Sequence, residues 1–509
     1  MAGRETFEQE ITAGYQFRGD SIILGGSVFD GSTLNNVLVR APLRTFNRHG
    51  LIAGATGTGK TKTLQMIAES LSSKGVPVLL MDMKGDVSGI SQAGESNPKI
   101  QERHQNIGVP WKAGQFPVEF LTISSEPGVR MRATVSEFGP VLFSKILELN
   151  DTQAGVVSLV FKYCDDHQLP LLDLKDFKKT LHFLTNEGKV DVEKDYGRLS
   201  TATTGTILRK VVEIEQEGSE MFFGEKSFAV EDLLRVNESG VGVINILRLT
   251  DIQSKPRMFS TFMLCLLAEI YATFPEEGDP DQPKLVVFID EAHLVFREAS
   301  RALLEQLETI IKLIRSKGVG IIFCTQTPTD IPAPILAQLG MKVQHALRAF
   351  TAQDRKAIKQ AAENYPLTEY YKTDELLTAL GIGEAFVSVL NEQGIPTPLV
   401  HTMMCAPASR MGTLTPAELQ QMVTASSLAR SYNEHIDRES AYEMLTAKIQ
   451  NAVQAAPVSS QGKPEKSTIE KVIADPLTRQ IGRTVAREVT RGLLGVLGLG
   501  GRSRRTSLF

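Results

Sequence analysis

The chain has 509 residues, 42% of them hydrophobic and 22% charged, with a formal net charge of -4. These values are ordinary for a globular protein and exclude a generally basic nucleic-acid coat, though not a local basic channel, because steering depends on where charges sit. Four scattered cysteines without a CxxC pair argue against a disulfide framework or zinc site. A polar, acidic start and no apolar run near the roughly 20 residues of a spanning helix predict neither a signal peptide nor a transmembrane segment, and the expected compartment is the cytoplasm.

In chain order, residues 1–45 read as a short β segment, with strands at 21–26 and 36–40. From 46 to 410 the pattern is that of an α/β core. Leu51-Ile52-Ala53 is a short buried strand, and a glycine loop follows it. Leu64, Ile67, Ala68 and Leu71 then recur at helical spacing, Gly75 stops the helix, and 76–82 is the next strand. Strand, helix, strand at this spacing predicts a βαβ unit and a parallel sheet. Residues 130–235 are charged and poor in strand signals, and they predict a helical insertion with helices at 140–149 and 172–184. Strand patterns return at 241–247, 285–289, 319–325, 342–347 and 385–390. Residues 411–453 predict C-terminal helices, 454–466 a linker and 467–509 a basic amphipathic tail.

The glycine loop is Gly54-Ala55-Thr56-Gly57-Thr58-Gly59-Lys60-Thr61, which fits G-x-x-x-x-G-K-[ST] without a gap. Glycines let backbone N–H groups wrap phosphate, and the helix that starts near Lys60 adds its positive end. This predicts ATP bound with Mg²⁺, with Lys60 on the β- and γ-phosphates and the Thr61 hydroxyl on the metal.

The apolar run Leu285-Val286-Val287-Phe288-Ile289 ends in Asp290-Glu291. Such a run is a strand covered on both faces, and two carboxylates at its end are costly unless they meet a cation or water. Asp290 is placed to hold the Mg²⁺ water shell and Glu291 to polarise the attacking water. His293 reads more readily as a structural hydrogen-bonding group than a catalytic one. Gln326, at the end of the strand 319–325, is either a γ-phosphate sensor or a loop amide bound to backbone. Arg315 closes a helix carrying Leu304, Leu307, Ile311 and Ile314 on one face, where it either complements the helix dipole or reaches a neighbouring subunit's phosphates. Asp82 and Lys84, after the second strand, are either supporting groups of the site or an exposed turn.

Together these residues resemble the HerA–FtsK group of P-loop ATPases, and most closely the bacterial HerA-like helicase family. The resemblance rests on Arg48-His49 before the loop strand, on the loop itself, and on Asp82-Met83-Lys84-Gly85-Asp86. It continues through Ile289-Asp290-Glu291-Ala292-His293, Arg315-Ser316-Lys317-Gly318-Val319-Gly320 and Thr325-Gln326-Thr327-Pro328, spanning residues 20–405. It implies a RecA-type fold assembled as a homo-hexameric ring that moves along or pumps duplex DNA. ATP would then lie between subunits, with Arg315 completing the neighbour's site in trans and Arg48 matching the family's cis-acting arginine. Arg348 and Arg355 are alternative fingers. Only about 45 residues precede the motor, so the N-terminal β-barrel of HerA-type enzymes is expected to be missing or reduced, which puts docking of a nuclease or other protein partner in question. From Lys463 onward ten Lys/Arg stand against four acids, and Val489, Leu493, Val496 and Leu497 fit one apolar helix face. That tail is either packed or solvated, or it contacts DNA, a partner or a membrane surface. The alternative to a translocase is a nucleotide-switched regulatory or scaffold ATPase that does not move DNA.

Overall fold

Twelve strands form one sheet in the computed structural model. It describes residues 3–455, apart from 217, 219, 220, 279, 298–300, 350, 435 and 437. The strands are β1 Ser21–Phe29, β2 Ser32–Pro42, β3 Gly50–Ala53, β4 Val78–Asp82, β5 Val118–Thr122, β6 Val129–Arg130, β7 Ile244–Arg248, β8 Leu285–Ile289, β9 Val319–Thr325, β10 Met341–His345, β11 Glu384–Ser388 and β12 Val400–Met404. Their spatial order is β2-β1-β12-β11-β10-β3-β9-β8-β4-β7-β5-β6. From β10 to β6 every pairing is parallel, whereas β11, β12, β1 and β2 pair antiparallel at one side.

The central strands β3, β4, β8 and β9 are buried along their whole length, as continuous apolar runs in a parallel sheet should be. Register aligns their carboxyl ends. Ala53 lies opposite Thr325, Ile289 opposite Phe323, and Met81 opposite Ile289. Residues that follow these strands therefore emerge on one edge of the sheet, where α/β folds bind their ligands.

Two strands of this sheet, β5 and β12, and one helix lack a strong signal in sequence. β5 carries Glu119, which is buried and paired to Arg235 at 3.0 Å, so the strand loses its apolar run. β12 is masked in the same way by His401 and Thr402, with His401 Nε2 3.0 Å from the Glu384 carboxylate. The N-terminal segment was expected to hold only strands and turns, yet it opens with the helix Arg4–Gly14, whose Phe7 and Ile11 are buried. Its two strands are continuous with the motor's own sheet through β1 and β12.

The chain divides into two compact units, 1–130 with 229–433, and 131–228 with the residues from 434 on. The sheet belongs wholly to the first. In the second, the helices Val135–Ile146, Asp151–His167 and Leu174–Thr185 each begin on a capping box: Thr134 with Glu137, Asn150 with Gln153, and Asp173 with Asp176. Phe143, Phe161 and Phe177 meet in its core with ring centroids 4.9–6.3 Å apart. Within the span 130–235 expected for the insertion, residues 131–228 lie in the second unit. Residues 229–235 return to the sheet unit, where Arg235 finds Glu119.

The C-terminal helices, expected as one group at 411–453, are divided between the units. Pro416–Ala425 and Ser427–Tyr432 belong to the first, where the Tyr432 hydroxyl donates to Asp232 at 2.6 Å. Ala441–Ala455 belongs to the second, where the Ala441 and Tyr442 amides donate to the Pro170 carbonyl and the Asp176 carboxylate at 3.0 and 2.8 Å. The linker from 456 onward and the whole basic tail lie outside the described residues. Among the described residues no helix is long and apolar enough to cross a membrane.

Candidate active site

The glycine loop leaves β3 and feeds directly into the helix Lys60–Ser73. Two of its glycines are required by geometry. At Gly54, φ is +154° and an added Cβ would stand 2.5 Å from His345 Cβ; at Gly59, φ is +116° and a Cβ would stand 3.1 Å from the Gly383 backbone. The loop is anchored to both neighbouring strands, with Gly54 N–H donating to Thr325 O at 3.3 Å and Ala55 N–H to Ala346 O at 2.8 Å. Thr56 and Gly57 are exposed. The amides of Gly57, Gly59, Lys60 and Thr61 have no carbonyl partner among the described residues, which is the set of orphan donors that an anion satisfies at a helix start. Lys60 is folded back, its ammonium donating to the carbonyls of Gly54 and Ala55 at 2.6 and 3.2 Å.

Asp290 and Glu291 follow β8, two strands from the loop, and both are buried. Ala292 N–H donates to Cys324 O at 2.9 Å, pinning the end of β8 to β9. Glu291 takes φ +47°, an unusual conformation for a side-chain-bearing residue of the kind that collects at functional sites. One of its carboxylate oxygens is ion-paired with the Lys84 ammonium. The other, Oε2, stands 3.3 Å from His293 Nδ1 and is buried without a hydrogen bond among the described residues. Lys84 thus belongs to the site, reaching it from the turn after β4.

Asp82 shapes that turn, accepting from the amides of Gly85, Asp86 and Val87 at 2.7, 3.3 and 3.5 Å. Burial, helped by the nearby Asp86 charge, pushes the Asp82 carboxyl up to about 6. The turn sets Asp86 Oδ2 3.5 Å from the Thr61 hydroxyl and leaves Asp86 Oδ1 buried with no partner among the described residues. The residues at this end of the sheet therefore fit a cation: a hydroxyl, two aspartates and two buried carboxylate oxygens lacking donors. Mg²⁺ there would be held by Thr61 and Asp290, with Asp86 adjoining, and would supply positive charge to the phosphate oxygens. Asp86 was not singled out as a metal-side residue from sequence, although it stands four residues after the strand end that marks the site.

Burial raises the Asp290 carboxyl to about 7, with the Glu291 and Asp86 charges adding to the rise and Lys84 opposing it. The folded state therefore holds this proton through a window, from about 4 to 7, in which the unfolded chain has released it. The stability contributed is complete below about 4 and is lost as pH rises through about 7. Asp290→Asn removes the titration. With metal and nucleotide absent, its melting temperature is expected to exceed the parent's by roughly 2–5 °C at pH 8 and to match it near pH 4. Thermal unfolding across this range checks the sign, and an equal offset at both ends would show that Asp290 carries no buried charge.

Gln326 directly follows β9 and is exposed on the same edge. The strand end is held by Asp330, which accepts from the Thr325 hydroxyl at 2.6 Å and the Thr327 amide at 3.0 Å. Arg348 and Arg355 are also exposed, just after β10 and in the helix Ala352–Ala362.

Arg48 and Arg315 lie elsewhere. Arg48 precedes β3 and Arg315 precedes β9, so both stand at the amino ends of their strands. The four residues of β3, at about 3.3 Å each, put roughly 13 Å between Arg48 and the loop of its own chain. His49 ties the two arginine-bearing turns together. Ile321 N–H donates to His49 Nδ1 at 3.0 Å, so the proton sits on Nε2, which donates to Ile311 O at 2.8 Å. Burial, with a smaller push from Arg315, lowers the imidazole to about 4 against the pull of the Ile311 carbonyl, and it stays neutral. The fold thus gathers Lys60, Thr61, Asp290, Glu291 and Gln326 on one edge and sets Arg48 and Arg315 on the other.

The family model described as "Helicase HerA-like C-terminal" matches residues 30–467. The chain belongs to this HerA-like family. It is 23% identical over 394 residues to the DNA double-strand break repair helicase HerA of Saccharolobus solfataricus, covering 75% of this chain and 69% of that one. The helicase of the same name from Sulfurisphaera tokodaii is 23% identical over 359 residues, covering 69% and 64%. The chain thus spans about two thirds of the length of these HerA relatives. Among solved structures, the unbound bacterial conjugative coupling protein TrwBdeltaN70 superposes with a TM-score of 0.51 at 14% identity, covering 80% of this chain and 94% of that one. At that identity the likeness is one of fold, the RecA-type P-loop α/β architecture. This HerA-like chain is an ATP hydrolase of the P-loop class.

Proposed function

We propose that the chain is a Mg-ATP-dependent motor that assembles as a homo-hexameric ring and translocates duplex DNA in the manner of HerA. The observation that carries this is the division of the catalytic set between opposite edges of the sheet. The phosphate loop, Asp290, Glu291 and Gln326 share one edge, and Arg315 and Arg48 stand on the other. An arginine so placed completes a nucleotide site only when a second copy presents it, which holds for Arg48 as for Arg315 and departs from the cis role that the resemblance implies for Arg48, so the site is built at a subunit boundary. The names of the HerA relatives support DNA as the track.

In this reading the loop amides and Lys60 bind the phosphates, and Thr61 and Asp290 hold Mg²⁺. Glu291 takes the proton from the attacking water, the bond from the β–γ bridging oxygen to the γ-phosphorus breaks, and ADP and phosphate leave. Gln326 senses the γ-phosphate from the neighbouring strand, and Arg315 of an adjacent copy offsets the charge that develops.

Particle mass by light scattering with and without ATP, followed by ATP hydrolysis with and without duplex DNA, tests the reading. A ring-sized particle whose turnover rises several-fold with DNA is expected. A monomer whose turnover ignores DNA would overturn it, and a DNA-indifferent ring would instead support a nucleotide-switched scaffold.

A further inference from the structure

The direction of the nucleotide on its loop follows from the strand order. Glu291 and Gln326, which act on the γ-phosphate in the function proposed above, follow β8 and β9 on one side of β3. The nucleoside end must then leave on the other side of β3, over β10 and β11. Because β11 runs antiparallel to β10, the turn that enters it lies on the same edge as the phosphate loop. That turn is Gly381-Ile382-Gly383.

The turn is packed against the loop backbone to backbone. Gly383 N–H donates to Thr58 O at 2.9 Å, and the missing Cβ of Gly59 would stand 3.1 Å from Gly383 Cα. It is also held rigid from behind. The Arg103 guanidinium, on the helix Pro98–Ile107, donates to Ile382 O and Gly383 O, each at 3.0 Å, and to Met404 O at 3.1 Å. Gly381 N–H donates to the Glu384 carboxylate at 2.9 Å. His345 donates from Nδ1 to Glu384 O at 2.8 Å and accepts from the Thr63 hydroxyl at 3.0 Å, tying the start of β11 to the helix that follows the loop.

On this pinned turn the only side chain is that of Ile382, which is 72% exposed. A single exposed isoleucine is unremarkable on a protein surface. Here, however, it projects from a three-residue turn immobilised by a guanidinium and joined to the phosphate loop, on the side where the nucleoside must emerge.

We propose that the Gly381-Ile382-Gly383 turn is the nucleoside subsite of the ATPase and that Ile382 supplies the apolar face against which the purine ring lies. The proposal rests on nucleotide binding by the glycine loop. The ring is held by apolar contact, and Arg103 is a positioning residue that fixes the turn.

ADP and pyrophosphate separate the two ends of the ligand without turnover. Calorimetric titration of the full chain with each, in the presence of Mg²⁺, gives the nucleoside contribution as the ratio of the two affinities. In Ile382→Ser the affinity for ADP is expected to fall roughly tenfold while that for pyrophosphate is unchanged, and Ile382→Leu is expected to retain both. An ADP affinity that is unchanged in Ile382→Ser, or that falls in step with pyrophosphate, would overturn the proposal. Parent chain that binds pyrophosphate as tightly as ADP would overturn it while leaving the phosphate loop in place. Binding of neither ligand would remove the nucleotide reading itself.

Discussion

Glu291→Gln is expected to cut ATP turnover by about a hundredfold or more while leaving ATP affinity within about threefold of the parent. The side chain keeps its size and loses its charge and basicity, and with them the Lys84 ion pair, so the difference separates proton abstraction from packing. Glu291 is suited to that task by three observations. It is buried, one oxygen is held by the Lys84 ammonium, and the other has no hydrogen bond among the described residues. A buried carboxylate oxygen without a donor is costly to maintain, and a bound water satisfies it. The Lys84 pair sets the carboxylate's direction from the turn after β4, so the base is aimed before substrate arrives. Steady-state hydrolysis alongside calorimetric ATP binding gives both numbers. Retained turnover in Glu291→Gln would move the base to another residue, and lost binding would assign Glu291 to the nucleotide pocket instead.

Arg315→Ala is expected to lower turnover by roughly a thousandfold with ATP binding intact, the scale of a lost arginine finger. The decisive form of the experiment mixes two inactive chains. Arg315→Ala keeps an intact phosphate site but offers no finger, whereas Glu291→Gln offers the finger but has no base. In a mixed assembly, some boundaries join the Arg315 of a Glu291→Gln copy to the intact site of an Arg315→Ala copy, and hydrolysis should return to a measurable fraction of the parent's. An arginine acting within its own chain allows no such recovery. Absence of activity in the mixture, with mixed particles demonstrated by mass, would discard the trans role and leave Arg348 or Arg355 as candidates. Arg48 shares the Arg315 edge, and His49 beside it bonds to Ile311 and Ile321 on either side of Arg315, so the same mixing scheme applied to Arg48→Ala tests whether it acts within its own chain, as the family resemblance implies.

The nucleotide loop was legible because its demands are local. Glycine at Gly54 and Gly59, a strand before and a helix after are conditions that a short run of sequence states in full. The carboxylate pair was equally legible, since an apolar strand that ends in two adjacent acids, Asp290-Glu291, requires a cation or water to meet them. Lys84 was readable only as one of two alternatives, because its partner Glu291 is on a strand far along the chain and the pairing depends on β4 lying beside β8. Ile382 and Arg103 carried no signal at all. An isoleucine between two glycines looks like any surface turn until β11 is seen to run antiparallel into the loop's edge.

Sequence by itself determined a parallel α/β core, a phosphate loop and the adjacent carboxylates that the proposed function gives to the metal and the water. These follow from periodicity and from the backbone freedom of particular glycines, which act over a few residues. Tertiary structure decided where everything else stands relative to that loop. Strand order places Gln326 beside it and Lys84 against Glu291, and strand direction places Arg315 and Arg48 at the opposite edge. It also brings into one sheet the strands β5 and β12, whose polar residues conceal them until Glu119 meets Arg235 and His401 meets Glu384. The physical reason is the same in each case. A charge's cost or use depends on its neighbours in space, and hydrophobic pattern along the chain does not record who those neighbours are.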